Sequence, residues 1–187
     1  MNTFLYVIGG FFVALLVFVG VVYNGFVKLR NQADEAFSTM DAYLKRRYDT
    51  IPNLVEIVKG YAAHELGTLE RVVQARNMAE KAEQAQNLEE RSKGDALLSG
   101  ALHALFAVVE NYPDLKADGS FLNLQSQLTG VEKDILQSRK YYNGVVRMLN
   151  TRIEMFPFNL FAKSMGFLRY PYFMADESER ENVRVSL

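Results

Sequence analysis

The chain has 187 residues, a net charge of −1 and no cysteine. That length suits one domain plus an anchor. The balanced charge gives no global pull toward nucleic acid, and the missing thiols exclude disulfides, thiolate nucleophiles, cysteine-held metals and a lipidated N-terminal cysteine. Tryptophan is absent and proline numbers only four, which predicts a helical protein rather than a sandwich of short strands.

The first charged side chain is Lys28. Before it, residues 4–23, FLYVIGGFFVALLVFVGVVY, are apolar apart from glycines and tyrosines. A helix of that length rises roughly 30 Å, the hydrocarbon thickness of a bilayer. The main rival is a cleaved signal peptide, which wants a basic n-region, a shorter apolar core and a small-x-small cleavage site. MNT carries no basic side chain and NGFVKLR offers no such site, so residues 1–25 are expected to stay as a transmembrane anchor. A buried core helix is not expected, because nothing in the remaining chain is apolar enough to enclose it. Lys28 and Arg30 follow the span at once, and no basic side chain precedes it. The positive-inside rule therefore predicts a single-pass inner-membrane protein with a short N-terminus outside and the body in the cytoplasm.

Apolar positions continue beyond the anchor. Phe26, Leu29, Ala33, Phe37, Met40, Leu44, Tyr48 and Ile51 recur at spacings of three and four, with an eleven-residue repeat. Eleven residues over three turns is nearly a straight helix, with slight right-handed coiling if long. An ordinary amphipathic helix and a coiled coil fit this stretch equally. Either way, the anchor is expected to run directly into a cytoplasmic helix.

The run Asp49, Thr50, Ile51, Pro52 reads as a stop and restart: proline is costly inside a helix but harmless in its first turn, and Asp49 or Thr50 can cap. The second helix is then predicted to present Ile51, Val55, Val58, Ala62, Leu66, Leu69 and Val73. Its stripe thins to alanines at 75, 79, 82 and 85, and residues 78–93, MAEKAEQAQNLEERSK, are polar nearly all round. They are expected to be an exposed helix end or a mobile connection. Gly94 and Asp95 restart a third helix with Leu97, Leu98, Ala101, Leu102, Leu105, Phe106, Val108 and Val109, ending before Pro113. After the loop DLKADGS, Ser120 is the expected cap of a fourth helix. That helix carries Phe121, Leu124, Leu128, Val131, Ile135, Ser138, Tyr142, Val145 and Leu149, and reaches about Phe156. The predicted fold is all-α: an N-terminal transmembrane helix continuing into a cytoplasmic antiparallel bundle of about four long helices over 26–156.

Residues 156–173, FPFNLFAKSMGFLRYPYF, hold seven aromatics in eighteen positions. Within 157–187 this segment is expected to be a strap closing the open end of the bundle, or else an interfacial or partner-binding element. Phe158, Phe161, Arg169 and Tyr170 are the candidate contacts, since aromatics and cations together suit headgroups and interfaces. The charged tail ADESERENVRVSL is expected to be mobile.

No catalytic constellation can be assembled, and the chain is expected not to be an enzyme. His64 and Glu65 resemble the start of a zinc-protease HExxH, but the second ligand position holds Thr68, so the match fails. His103 sits in HALFAVVE and reads as a core or boundary histidine. There is no G-x-S-x-G and no phosphate-cradling glycine loop. No cofactor and no metal are expected. Lys45, Arg46 and Arg47 offer three adjacent cations, but a straight helix rises roughly 33 Å between Tyr23 and Lys45. The Debye length is only about 8 Å, so this cluster is too far from the bilayer, whereas Lys28 and Arg30 are near it. The cluster is expected to pair with carboxylates such as Asp41, Asp49 or Glu56, or with a neighbouring subunit; lipid or nucleic acid is the weaker reading. Pro52 then marks the membrane-distal corner.

Three blocks carry a resemblance: YNGFVKLRNQADEAFSTMDAYLKRRYDTIPNLVEIVKGYAAHE, ALFAVVENYPDLKADGSFLNLQSQL and SRKYYNGVVRMLNTRIEMFPFNLFA. In this order they resemble the LemA family of bacterial membrane proteins, from Tyr23 to about Phe173. The signature is carried by Tyr23 and Asn24, Leu44 to Arg47, Asp49, Ile51 to Val55, Lys59 to Tyr61, His64 and Glu65, Glu110 to Lys116, Tyr142 and Asn143, and Phe156 and Pro157. Where the family often has tryptophan, this chain has Phe37, a conservative change. The resemblance implies a short outer N-terminus, one span and a cytoplasmic helical bundle, and supplies no activity and no catalytic residues. Some members of the family are linked to shaping internal membranes, and others are encoded beside membrane proteases. The expected function is a non-enzymatic, membrane-anchored scaffold that self-assembles, its partners being the lipid bilayer, copies of itself and no nucleic acid. The alternative is an adaptor for another membrane protein, a protease or a transporter.

Overall fold

The computed structural model describes residues 2–84 and 87–173. Among them every regular element is helical and none is a strand: α1 (Asn2–Tyr61), α2 (Leu66–Gln84), α3 (Leu88–Val109), α4 (Pro113–Lys116), α5 (Gly119–Glu154) and α6 (Asn159–Ala162). The helices pack into two compact units. Unit 1 draws on residues 2–38 and 140–171, unit 2 on 39–139 and 172–173 within the described chain.

Among the described residues, α1 alone is long and apolar enough to cross a membrane. Phe4, Tyr6, Phe11, Phe12 and Leu16 on its first turns are all exposed. Further along, the spacing rule holds: Phe26, Ala33, Met40, Leu44, Tyr48 and Ile51 are buried, and Leu29 and Phe37 half-buried. The predicted break at Pro52 does not occur. Pro52 lies inside α1, which ends only at Tyr61. Proline has no N–H for the carbonyl four residues back, and that carbonyl, Tyr48 O, instead receives Arg76 Nε at 3.4 Å. Pro52 is exposed, so its ring displaces solvent rather than core.

The true corner is at residues 62–65, where Glu65 N–H donates to Ala62 O at 3.0 Å. The second helix therefore starts fifteen residues later than Ile51, at Leu66. Its buried face is Leu69, Val72, Ala75 and Ala79; Val73 and Leu66, predicted inside, are exposed. The third helix also departs from expectation. It begins at Leu88, capped by Asn87, whose side chain accepts Glu89 N–H at 3.0 Å. Gly94 and Asp95 are thus interior to α3, and both are buried. At Gly94 a Cβ would lie 3.0 Å from Ala79 Cα, so the glycine lets α2 and α3 approach closely. Ser120 is not the cap of α5. Asp118 is, its Oδ1 accepting Phe121 N–H at 2.8 Å. The α5 register is as the spacing predicted: Phe121, Leu128, Val131, Ile135, Ser138, Tyr142, Val145 and Leu149 are all buried.

In unit 1 the core is Val22 and Phe26 of α1, Leu149 of α5, Ala162 of α6 and Phe167. The chain reverses after α6 through Gly166 at φ +79°, where a side chain would be strained. Phe167 N–H reaches Ala162 O and Gly166 N–H reaches Lys163 O, the paired bonds of a glycine-terminated helix end. Phe167 is thereby delivered onto Phe26, with ring centroids 4.9 Å apart. Asn150 secures the returning strand of chain, donating to Tyr170 O and accepting Tyr170 N–H, each at 2.9 Å. Up to Pro171, the aromatic segment is therefore packed against α1 and α5 of unit 1. The tail at 175–187, expected to be mobile, lies outside the described residues.

Candidate functional site

In unit 2 the three adjacent cations do not act together. Lys45 and Arg46 are exposed, as are Asp49 and Pro52, while Arg47 is 2% exposed. Arg47 does not use the carboxylates of its own helix. Its Nη1 meets Asp95 Oδ1 of α3 at 2.8 Å and Glu132 Oε2 of α5 at 3.3 Å, and its Nη2 donates to Ser99 Oγ at 2.8 Å. Asp95 also binds Arg139 of α5 through its other oxygen at 2.7 Å. One buried carboxylate thus joins cations from two helices, while Asp41 pairs with Arg91 instead. Arg139 further lies over the Phe173 ring, 5.0 Å from its centroid.

This charged centre opens into a cleft of about 340 Å³ lined by Arg47, Ser99, His103, Phe106, Glu132 and Lys133 among others. His103 was expected in or beside the core; it is exposed, because the buried face of α3 is Asp95, Leu98, Leu102, Leu105 and Val109. The cleft contains an imidazole, a carboxylate and cations but no thiol. No group of three histidine, cysteine, aspartate or glutamate side chains suited to a metal occurs among the described residues.

At the corner of the same unit, two tyrosine–carboxylate bonds tie together segments distant in sequence. Tyr61 Oη donates to Asp118 Oδ2 at 3.0 Å and Tyr112 Oη to Glu65 Oε1 at 3.1 Å. The Phe121 amide, followed by the Tyr61 hydroxyl, holds the Asp118 carboxyl below the usual carboxylate range. Glu65, half of the incomplete HExxH, serves here as a hydrogen-bond acceptor.

Unit 1 gathers a different set. Lys28 and Arg30 are exposed just beyond the span, with Arg30 5.7 Å from the Phe167 ring centroid. Phe161 meets Phe18 of the span edge-on at 6.2 Å, and Phe158 meets Phe26 at 6.4 Å. Arg169 pairs with Glu154 at 2.9 Å in an exposed position. Tyr170 Oη donates to Asp34 at 3.1 Å, and burial, then that bond, raises its pKa. Arg152, which sequence reasoning missed, lies over Phe158 at 4.8 Å and Phe26 at 6.0 Å.

A signal for the missed residues was available. Asp95 precedes Leu98, Leu102, Leu105 and Val109 at spacings of three and four, and Arg152 follows Val145 and Leu149 in the same rhythm. A charge in phase with an apolar stripe is a candidate buried charge.

The sequence model of the LemA family matches residues 36–187. Protein LemA of Metamycoplasma hominis is 29% identical, over 87% of this chain and 74% of that protein. Magnetosome protein MamQ of Magnetospirillum gryphiswaldense is 26% identical, over 81% of this chain and 64% of its own length. Magnetosome protein MamQ 2 of Paramagnetospirillum magneticum is 27% identical over the same shares, so the chain spans less than two thirds of these MamQ proteins.

Proposed function

Because the chain belongs to the LemA family, we propose that it is a single-pass, membrane-anchored, non-enzymatic scaffold that assembles with copies of itself at the membrane. The observation that carries this reading is α1. One uninterrupted helix bears first an apolar stretch with exposed side chains and then a stripe of buried core residues. Exposed apolar surface of that length has its natural solvent in lipid. Orientation follows the flanking cations: Lys28 and Arg30 after the span, joined in unit 1 by Lys163 and Arg169, favour a body on the cytoplasmic side.

Self-assembly draws support from the outer face of α2 and α3. A groove of about 760 Å³ there is floored by Ala96, Gly100 and Ala104 and edged by Met78 and Leu97, both exposed. Small residues admit a second helix closely, and its occupant in this reading is another copy. Anchoring in one bilayer raises effective concentration, so little intrinsic affinity is needed. The proposed role for this chain is membrane organisation or remodelling; two relatives are named magnetosome proteins.

The test is particle size after gentle detergent extraction of the full chain. Assemblies larger than a monomer are expected, and Gly100→Leu should shrink them. A clean monomer at micromolar concentration overturns self-assembly, and stoichiometric recovery of a different membrane protein would favour an adaptor instead.

A further inference from the structure

Unit 1 contains a cleft of about 560 Å³ lined by Leu29, Arg147, Met148, Thr151, Arg152, Met155 and Phe158. We infer that it is a binding site for an acidic glycerophospholipid, with the phosphate on Arg152, Arg147 and Thr151 and the upper acyl chain along Met155 and Phe158. The inference rests on the membrane-anchored reading above but not on self-assembly.

The guanidinium of Arg152 is stacked on two phenylalanine rings, and its Nε is buried without a hydrogen-bond partner. No ion pair or hydrogen bond links it to another described residue, in contrast to Arg47 and Arg139. Gly25 makes room for it: a Cβ there would stand 2.7 Å from Arg152 Nη2. Stacking on aromatic faces orients a guanidinium without neutralising it, which leaves its N–H groups for a phosphate. The only carboxylate-bearing neighbour in sequence, Glu154, is engaged by Arg169.

The walls of the cleft match an amphiphile. Arg147, Met148, Thr151, Arg152 and Met155 recur on one face of α5, so two cations and a hydroxyl stand beside two flexible thioethers. Among the described residues no carboxylate lines the cleft. An amphiphilic anion matches both halves; a free inorganic anion would leave the apolar half without a role.

The cleft also lies at the depth of the headgroups. Arg152 stands against Gly25, two residues beyond Tyr23 and an axial rise of roughly 3 Å, within the about 5–8 Å that one headgroup layer extends beyond the hydrocarbon. Unit 1 also leaves Phe156, Leu168 and Leu160 at 75%, 69% and 64% exposure. Phe161, next to Leu160, touches Phe18 of the span itself. Exposed aromatic and aliphatic side chains around a cationic cleft, at the end of a span, fit the interface between headgroups and acyl chains.

The experiment uses the full chain in a neutral maltoside detergent. It is titrated separately with dihexanoyl-phosphatidylglycerol, dihexanoyl-phosphatidylcholine and inorganic phosphate, with the thermal midpoint as the reading. Only phosphatidylglycerol should raise the midpoint. Thr151→Glu, at an exposed position, and Arg152→Gln should each weaken its apparent Kd by about tenfold or more. Arg147→Gln, also exposed, gives a variant whose fold is not at stake and should weaken binding in the same direction. An equal shift with phosphatidylcholine overturns the anionic site. An equal shift with inorganic phosphate overturns the lipid assignment, and unchanged affinity in all three variants overturns the location. Anchoring is read separately: release of the chain from membranes by an alkaline carbonate wash would refute the anchor while the titration still reports on the cleft.

Discussion

Arg47 and Arg139 in unit 2 share the Asp95 carboxylate, whereas Arg152 in unit 1 lies on Phe158 and Phe26 with no carboxylate partner among the described residues. Both solutions hold a guanidinium in a fixed place, but they leave it in different states. In unit 2 the charges nearly cancel: Arg47 and Arg139 face Asp95 and the half-exposed Glu132. Each partner depends on the other, because a charge left alone in a buried site cannot recover its hydration. In unit 1 the rings supply attraction to a cation but no opposite charge, so the guanidinium keeps its capacity for an anion. The contrast teaches where to look for structure and where for binding. A paired buried arginine is committed to the fold, and a stacked one is available.

The largest expected effect is in unit 2. Asp95→Asn strands two cations and should destabilise the full chain by about 3–5 kcal/mol in denaturant or thermal unfolding. Replacing Arg47, Asp95 and Arg139 together by apolar residues of similar volume should restore most of that loss, since the desolvation of all three disappears. A triple variant as unstable as Asp95→Asn would show that the residues matter for shape rather than charge, and would break the comparison. A smaller effect is expected in unit 1. Arg152→Met orphans no carboxylate and should cost only about 0.5–2 kcal/mol, the range of a cation–π contact. A loss as large as that of Asp95→Asn would mean that Arg152 is committed to the fold after all.

The smallest effect concerns an exposed carboxylate. Asp118 has its folded pKa held below the ordinary value by the Phe121 amide and the Tyr61 hydroxyl. A depressed folded pKa contributes stability above the unfolded pKa and loses it as pH falls through the folded one. Stability should therefore weaken slightly below about pH 4. Asp118→Asn should flatten that acid limb while leaving the Asp95 centre unaffected; an unchanged acid limb would remove Asp118 from the account.

The elements differ in how far they could be read from sequence. The inward face of α5 was legible, because its apolar positions from Phe121 to Leu149 keep one helical phase and each is buried or half-buried; its cap was not, since Asp118 rather than Ser120 accepts the Phe121 amide. The α1 stripe was legible for the same reason. Pro52 was not, because its tolerance depends on Arg76, which lies on another helix and serves the carbonyl that proline leaves free. The start of α3 was misplaced because LEERSK has no apolar phase, and Gly94 reads as a breaker when its role is to admit Ala79. The apolar neighbours of His103 point to a core or boundary position, yet it is exposed, because the buried phase of α3 runs through Asp95 instead.

What the sequence by itself determined is whatever depends on local phase and length. It specifies an all-helical chain, an apolar stretch sized for a bilayer and the inward faces of α1 and α5. It also specifies the family, whose resemblance rests on consecutive residues. What only the tertiary structure decided is which charges are spent and which are free. Arg47 meets Asp95 from 48 positions away and Arg139 meets it from 44. Tyr61 finds Asp118 across 57. Such pairings follow from the packing of distant helices, and a spacing rule carries no information about them. The stacked guanidinium of Arg152 was settled the same way, by the Phe158 and Phe26 rings that reach it.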